Sequence, residues 1–358
     1  MVHRGRWLRE AGSAGAARLC AVLLAGVLFA AGAAAEPPGA TQEPAATYFR
    51  IGTGSAGGTY FPVGGLLANA ITYRPGGNGC DTGGCGVTGL IAVAQATKGS
   101  VENAVQIEAG KLESGLVQAD VAYWLYVGQW IYAGRKPATN LRAIANLYSE
   151  SIQLVARRDA GIHSVADLKG KRVSLGDRES GTDVDARMVL GGFGLTERDL
   201  TALHLGPVPS ADLMREGKLD AFFLVSGAPS TAIAELAAAT AVGPQAITLV
   251  PIDGQGAAHI RAAYPFYTET VITGGTYPGI APTVTLGVNA QWLVSANVDA
   301  GLVYEITRAL WHRSARPLLD AGHPVGREIR LETALQGVVL PLHPGAARYY
   351  REIGLLKN

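Results

Sequence analysis

Three short stretches of this sequence set glycines beside hydroxyl side chains. The first holds Gly54, Ser55, Gly58, Thr59 and Tyr60 within GTGSAGGTYFPVGG. The second is Ser180-Gly181-Thr182, after the apolar run RVSLG. The third is Ser226-Gly227-Ala228-Pro229, after AFFLV. Each follows a strand-like run and leads into a helix-like one. Glycine lets a ligand approach the backbone, and the free amides of a helix start favour an anion. Hydroxyls add donors. Taken singly, each loop also fits a tight turn or ordinary Ser/Thr capping. Repetition in both parts of the chain is what points to binding. Two helix starts facing each other across a cleft would suit a ligand with an anionic group at each end.

Other chemistry is less well supported. Gly52-x-Gly54-x-x-Gly57 matches the dinucleotide fingerprint, but that motif needs an acid about 20 residues on for the ribose. No Asp or Glu stands between Ala45 and Cys80. There is no Gly-x-Ser-x-Gly elbow, no His-Glu-x-x-His, no Ser-x-x-Lys with its companion motifs and no Gly-Lys-Ser/Thr phosphate loop. Acids such as Asp183 and Asp185 read as solvating a helix face. No cofactor and no metal are expected.

The elements that would position these loops alternate. Strand-like runs cover Tyr48–Ile51, Leu90–Ala96, Ser114–Gln118, Arg142–Arg157, Arg172–Leu175, Leu219–Val225 and Ile247–Ile252. Helices are expected over Leu66–Ile71, after Ser100, after Asp120, from about Asp183 to Gly192, from Ser210 or Asp212, and along TAIAELAAAT. Ser100 and Asp120 read as caps. Strands alternating with helices imply parallel sheets. Glycine is unusually common, 47 of 358 residues, about 13% against an average near 7%. The glycines gather where strands end and helices begin, which is where open α/β sheets bind ligands.

The chain is long enough for two domains. Lys+Arg is 30 and Asp+Glu 29, a net charge of +1 without a basic block, so nucleic acid is not an expected partner. Arg4, Arg6, Arg9 and Arg18 precede the uncharged run LCAVLLAGVLFAAGAAA, which closes on Ala33-Ala34-Ala35. A basic start, an apolar middle and an Ala-x-Ala end read as a secretory signal cleaved after Ala35. The alternative is an uncleaved anchor. Cleavage would leave 26 basic and 28 acidic residues, a net charge of −2. Cys80 and Cys85 would then remain, and an oxidising compartment favours a short disulfide loop over half of a zinc site. Residues 36–46 read as a flexible leader.

Several segments, in order, resemble the TAXI family of TRAP-transporter solute receptors. They are IGTGSAGGTYFPVGGLLANAI, GSVENAVQIEAGKLESGLVQADVAY, SVADLKGKRVSLGDRESGTDVDAR and LDAFFLVSGAPSTAIAEL, then AAYPFYTETVITGGTYPG, LVYEITRALW and PLHPGAARYYRE. The resemblance implies an α/β, type II periplasmic-binding fold, with two lobes around a hinged cleft. Lobe one would comprise 47–157 and 256–358, and lobe two 158–255. It implies a periplasmic receptor, a monomer, that binds a dicarboxylate or an acidic amino acid such as glutamate or 2-oxoglutarate. The receptor would hand its ligand to an ion-gradient-driven TRAP permease. Carried onto this sequence, the ligand-binding positions are Gly54, Ser55, Gly58, Thr59, Tyr60, Gln118, Asp120, Ser180, Gly181, Thr182, Ser226 and Gly227, with Ser100 and Tyr148. Ala56 and Ser226 depart from the residues many relatives carry there. A secreted α/β enzyme acting on a small anion is the alternative.

Overall fold

The computed structural model describes residues 46–72, 86–240 and 246–357. The expected signal segment at 1–35, nearly all of the leader and the Cys80–Cys85 pair lie outside the described residues.

The chain opens with three parallel strands. β1 (Thr47–Gly52) buries Phe49 and Ile51 and exposes Tyr48, the period of two that a strand imposes. α1 (Tyr60–Ile71) leads to β2 (Leu90–Gln95), and α2 (Ser100–Glu108) leads to β3 (Ser114–Gln118). β1 lies between β2 and β3. α3 (Ala119–Val127) follows and ends on Gly128 at φ 67°, a left-handed stop that glycine adopts readily.

β4 (Leu141–Arg157) is 17 residues long. After it come β5 (Arg172–Ser174), α4 (Gly181–Gly192), β6 (Thr201–Leu203), α5 (Pro207–Arg215), β7 (Ala221–Ser226), α6 (Thr231–Ala239) and β8 (Ile247–Val250). α7 (Gly254–Ala263) and β9 (Thr268–Ile272) precede a second long strand, β10 (Thr283–Ser295). α8 (Ala300–Trp311), α9 (Ala315–Gly322) and α10 (Pro344–Glu352) close the chain.

The strands form one sheet in the order β2-β1-β3-β10-β4-β7-β5-β6, with β8 beside β4 and β9 beside β10. The fold is mixed α/β. Expected parallel pairing holds for β1 with its neighbours and for β5 with β6 and β7. It fails at the centre: β10 runs antiparallel to β3, β4 and β9, and β4 antiparallel to β7 and β8. A strand's own pattern does not show the direction of its neighbour, and the two central strands are long. Residues 290–294 of β10 pair with β3, and residues 283–287 pair with β9. β4 pairs with β10 along 141–151 and with β7 along 151–156. Both strands therefore pass from one half of the sheet to the other. α7 lies against α4, and β9 pairs with the start of β10, so residues 254–287 sit with the second half.

Phe49, Leu67, Trp292, Ile306 and Tyr350 form a core under the first half. Phe222, Leu224, Leu236, Leu249 and Tyr277 form one under the second. A third core, including Ile107, Trp124, Leu175, Val189 and Ile260, is shared by both.

Candidate functional site

A small cavity, about 60 Å³, lies where the two halves meet. That volume suits a few waters or a compact solute. Several helices start at its wall, α1, α2 and α4 among them. The 54–59 loop and Tyr60 bring α1, Gly99 and Ser100 bring α2, and Ser180 to Thr182 bring α4. Their free amides make the wall favourable to negative charge.

Ten expected residues line this cavity: Gly54, Ser55, Gly58, Thr59, Tyr60, Ser100, Gln118, Ser180, Gly181 and Thr182. The remaining four stand behind it. Thr59 Oγ1 lies 3.2 Å from the Tyr148 hydroxyl and accepts from Gly227 N at 3.0 Å. Ser226 Oγ accepts from Gln153 Nε2 at 3.0 Å, and Gln153 Oε1 accepts from the Tyr277 hydroxyl at 2.7 Å. The third loop thus ties the halves together. Asp120 is wholly buried in the first turn of α3.

The hydroxyls have partly different duties from those expected. Ser100 is the first residue of α2, and Gly99, at φ 121°, stands before it. Its Oγ accepts from Gln118 N and donates to Gln118 Oε1, both at 3.1 Å. Gln118 stands before α3, so Asp120 is not the cap. Pro207 begins α5, ahead of Ser210 and Asp212, as a proline suits a first turn. Ser180 Oγ does cap α4, accepting from Asp183 N at 3.1 Å, and Thr182 Oγ1 accepts from Val225 N at 3.1 Å.

Contact between the halves is close. A Cβ on Gly181 would stand 1.2 Å from Gln118 Oε1. Gln118 Nε2 donates to Asp185 Oδ2 at 2.8 Å. Lys98 Nζ donates to Glu179 Oε2 at 2.5 Å, at the outer edge; that hydrogen bond raises the lysine's pKa.

The acids of the site escaped the sequence reading. Glu150 lines the cavity from β4 and accepts from the Tyr60 hydroxyl at 2.7 Å. Burial holds its carboxyl well above the usual range. Asp177 also lines the cavity and is raised by burial, with Lys98 opposing. Asp185 is wholly buried, and Asp183, its side chain only 14% exposed, pairs with Arg187 at 3.1 Å, so neither acid simply solvates a helix face as expected. One signal was present: Asp185 lies four residues after Gly181 and four before Val189, on the buried stripe of α4. Tyr267 was missed as well; its hydroxyl lies 2.5 Å from Asp185 Oδ1 and 3.0 Å from Asp120 Oδ2.

Among the described residues no group of three or more His, Cys, Asp or Glu could hold a metal ion, and no helix is long and apolar enough to cross a membrane.

The sequence model of the NMT1-like family matches residues 51–354, which include every residue around the cavity. The chain belongs to the NMT1-like family. This NMT1-like chain is also similar to solved structures of solute-binding proteins. One is the alkanesulfonate-binding protein SsuA from Xanthomonas axonopodis pv. citri bound to MOPS. It is 16% identical over 88% of this chain and 96% of that one, with a TM-score of 0.40. Another is PhnD1 from Prochlorococcus marinus in complex with methylphosphonate, 9% identical over 86% and 99%, TM-score 0.46. A third is the arginine-bound form of truncated ArgBP from T. maritima, 11% identical over 74% and 94%, TM-score 0.42.

Proposed function

We propose that this chain is an extracytoplasmic solute receptor of the TAXI type. It binds a small carboxylate and delivers it to a TRAP permease. The observation that carries the reading is the meeting of several helix starts at one small cavity between the halves of the sheet. Backbone amides and the hydroxyls of Ser55 and Ser180 replace the water that a carboxylate loses on entry. The signal-like N-terminus supports a location outside the cytoplasm, where Cys80 and Cys85 would pair.

An acidic amino acid fits this lining better than a dicarboxylate. Glu150 and Asp177 would face an ammonium group, for which a dicarboxylate has no counterpart. Binding without turnover suits the site. Among the described residues no His or Cys lines the cavity, and Thr182 Oγ1 already accepts a backbone amide.

Calorimetry with L-glutamate and with 2-oxoglutarate is the test. Saturable one-to-one binding is expected, tighter for glutamate. At a hundredfold excess over Kd the ligand should stabilise the fold by about 2.7 kcal/mol. Heat from neither compound, nor from other small carboxylates, would remove the carboxylate reading.

A further inference from the structure

Beside the cavity, two buried carboxyl groups from opposite halves of the sheet meet one phenol. Asp120 comes from α3, Asp185 from α4, and Tyr267 from the turn between α7 and β9. The Tyr267 oxygen lies within hydrogen-bond distance of both carboxyls, 2.5 Å from Asp185 and 3.0 Å from Asp120. A phenol carries one proton and can donate to one of them only. The other contact is a hydrogen bond only if that carboxyl brings a proton of its own. The chain of donors then runs from a carboxylic acid to the Tyr267 oxygen, and from the Tyr267 hydroxyl to a carboxylate.

A second observation agrees. Asp120 is wholly buried, and its Oδ1 has no hydrogen-bond partner among the described residues. Two charges there would repel each other with no cation to offset them. The other carboxyl groups near the pair are Glu150 on β4 and Asp183 on α4, and the uncharged Tyr132 phenol stands near Asp120. The cations lie elsewhere. Arg187 pairs with Asp183 and Glu197, Lys98 with Glu179, and Arg135 stands over the Tyr132 ring. Among the described residues no Lys or Arg forms an ion pair with Asp120 or Asp185.

We infer that one proton, shared by Asp120, Tyr267 and Asp185, fastens the two halves of the sheet over the cavity, and that the halves part when it is lost. Once Asp185 withdraws with α4, each carboxyl regains water and ionises. The proton belongs to the pair, not to either residue. Burial raises both carboxyls, and the charge of Asp120 raises Asp185 further, in accord with this. Gln118, which lines the cavity and donates to Asp185, joins the proton site to the ligand site.

The inference concerns closure alone and stands whatever solute the cavity takes. Its test needs no ligand. Small-angle scattering of the whole exported protein is recorded from about pH 5 to about pH 8, a range that brackets an acid held above its ordinary value. The radius of gyration should rise with pH. Asp185→Asn supplies an N–H donor that cannot ionise, so its radius should stay small and constant. Asp120→Asn is the second variant, should the first not fold, and should behave alike. A wild-type radius that does not change with pH overturns the inference. So does an expansion that persists in the folded variants.

Discussion

Gln118 is committed at both ends of its amide. Oε1 accepts from Ser100 of the first half, and Nε2 donates to Asp185 of the second. It cannot swing aside without breaking a buried hydrogen bond. A methyl at Gly181 would stand 1.2 Å from its Oε1. Gly181→Ala should therefore cost about 1–3 kcal/mol of stability in urea unfolding, the usual range for overpacking. It should also weaken carboxylate binding at least tenfold, about 1.4 kcal/mol. Gly58 is different, since a Cβ there meets only Ser55 O, at 3.7 Å. Gly58→Ala should leave the unfolding midpoint unchanged. An equal loss in both variants would show that the contact with Gln118 is not the cause.

At the scale of elements, helix starts do two jobs. α4 begins with a true cap, because Ser180 Oγ accepts from Asp183 N. α1 begins without a side-chain cap; Thr59 instead reaches across the sheet to Gly227 N and Tyr148. The start of α1 is thereby tied to the loop between β7 and α6. Thr59→Val keeps the shape but leaves the buried Gly227 amide without its acceptor. The expected loss is about 1–3 kcal/mol. A methyl-filled site that unfolds at the wild-type urea concentration would mean that Gly227 finds another partner.

At the scale of the molecule, β4 and β10 carry the chain across both halves, and Glu150 sits on β4 beside the crossing. Its carboxyl is buried and held well above the usual range, chiefly by burial. A raised acid contributes its full stability below its unfolded value, about 4.3, and loses it as pH rises through the folded value. Glu150→Gln keeps the acceptor for Tyr60 but cannot ionise. Relative to wild type, the variant should gain stability between about pH 5 and about pH 8. Urea midpoints at the two pH values decide it. An unchanged difference would place the Glu150 carboxyl in water.

The sequence by itself determined most of the short strands, though not β6 or β9, the helices α1 to α6, and ten of the residues around the cavity. These depend on local patterns: Phe49 and Ile51 alternate along β1, and glycines and hydroxyls mark the strand-to-helix turns. Tertiary structure alone decided the antiparallel centre of the sheet, because a strand shows its own periodicity but not the direction of its neighbour. It alone decided that Gly227 joins the halves through Thr59, that Ser226 serves Gln153 and that Ser100 serves Gln118. It also turned Asp185 from a solvated acid into a buried one, since Tyr267 and Asp120, which meet it, lie 82 and 65 residues away along the chain. A side chain's partners at such separations are set by packing, and packing leaves no local pattern to read.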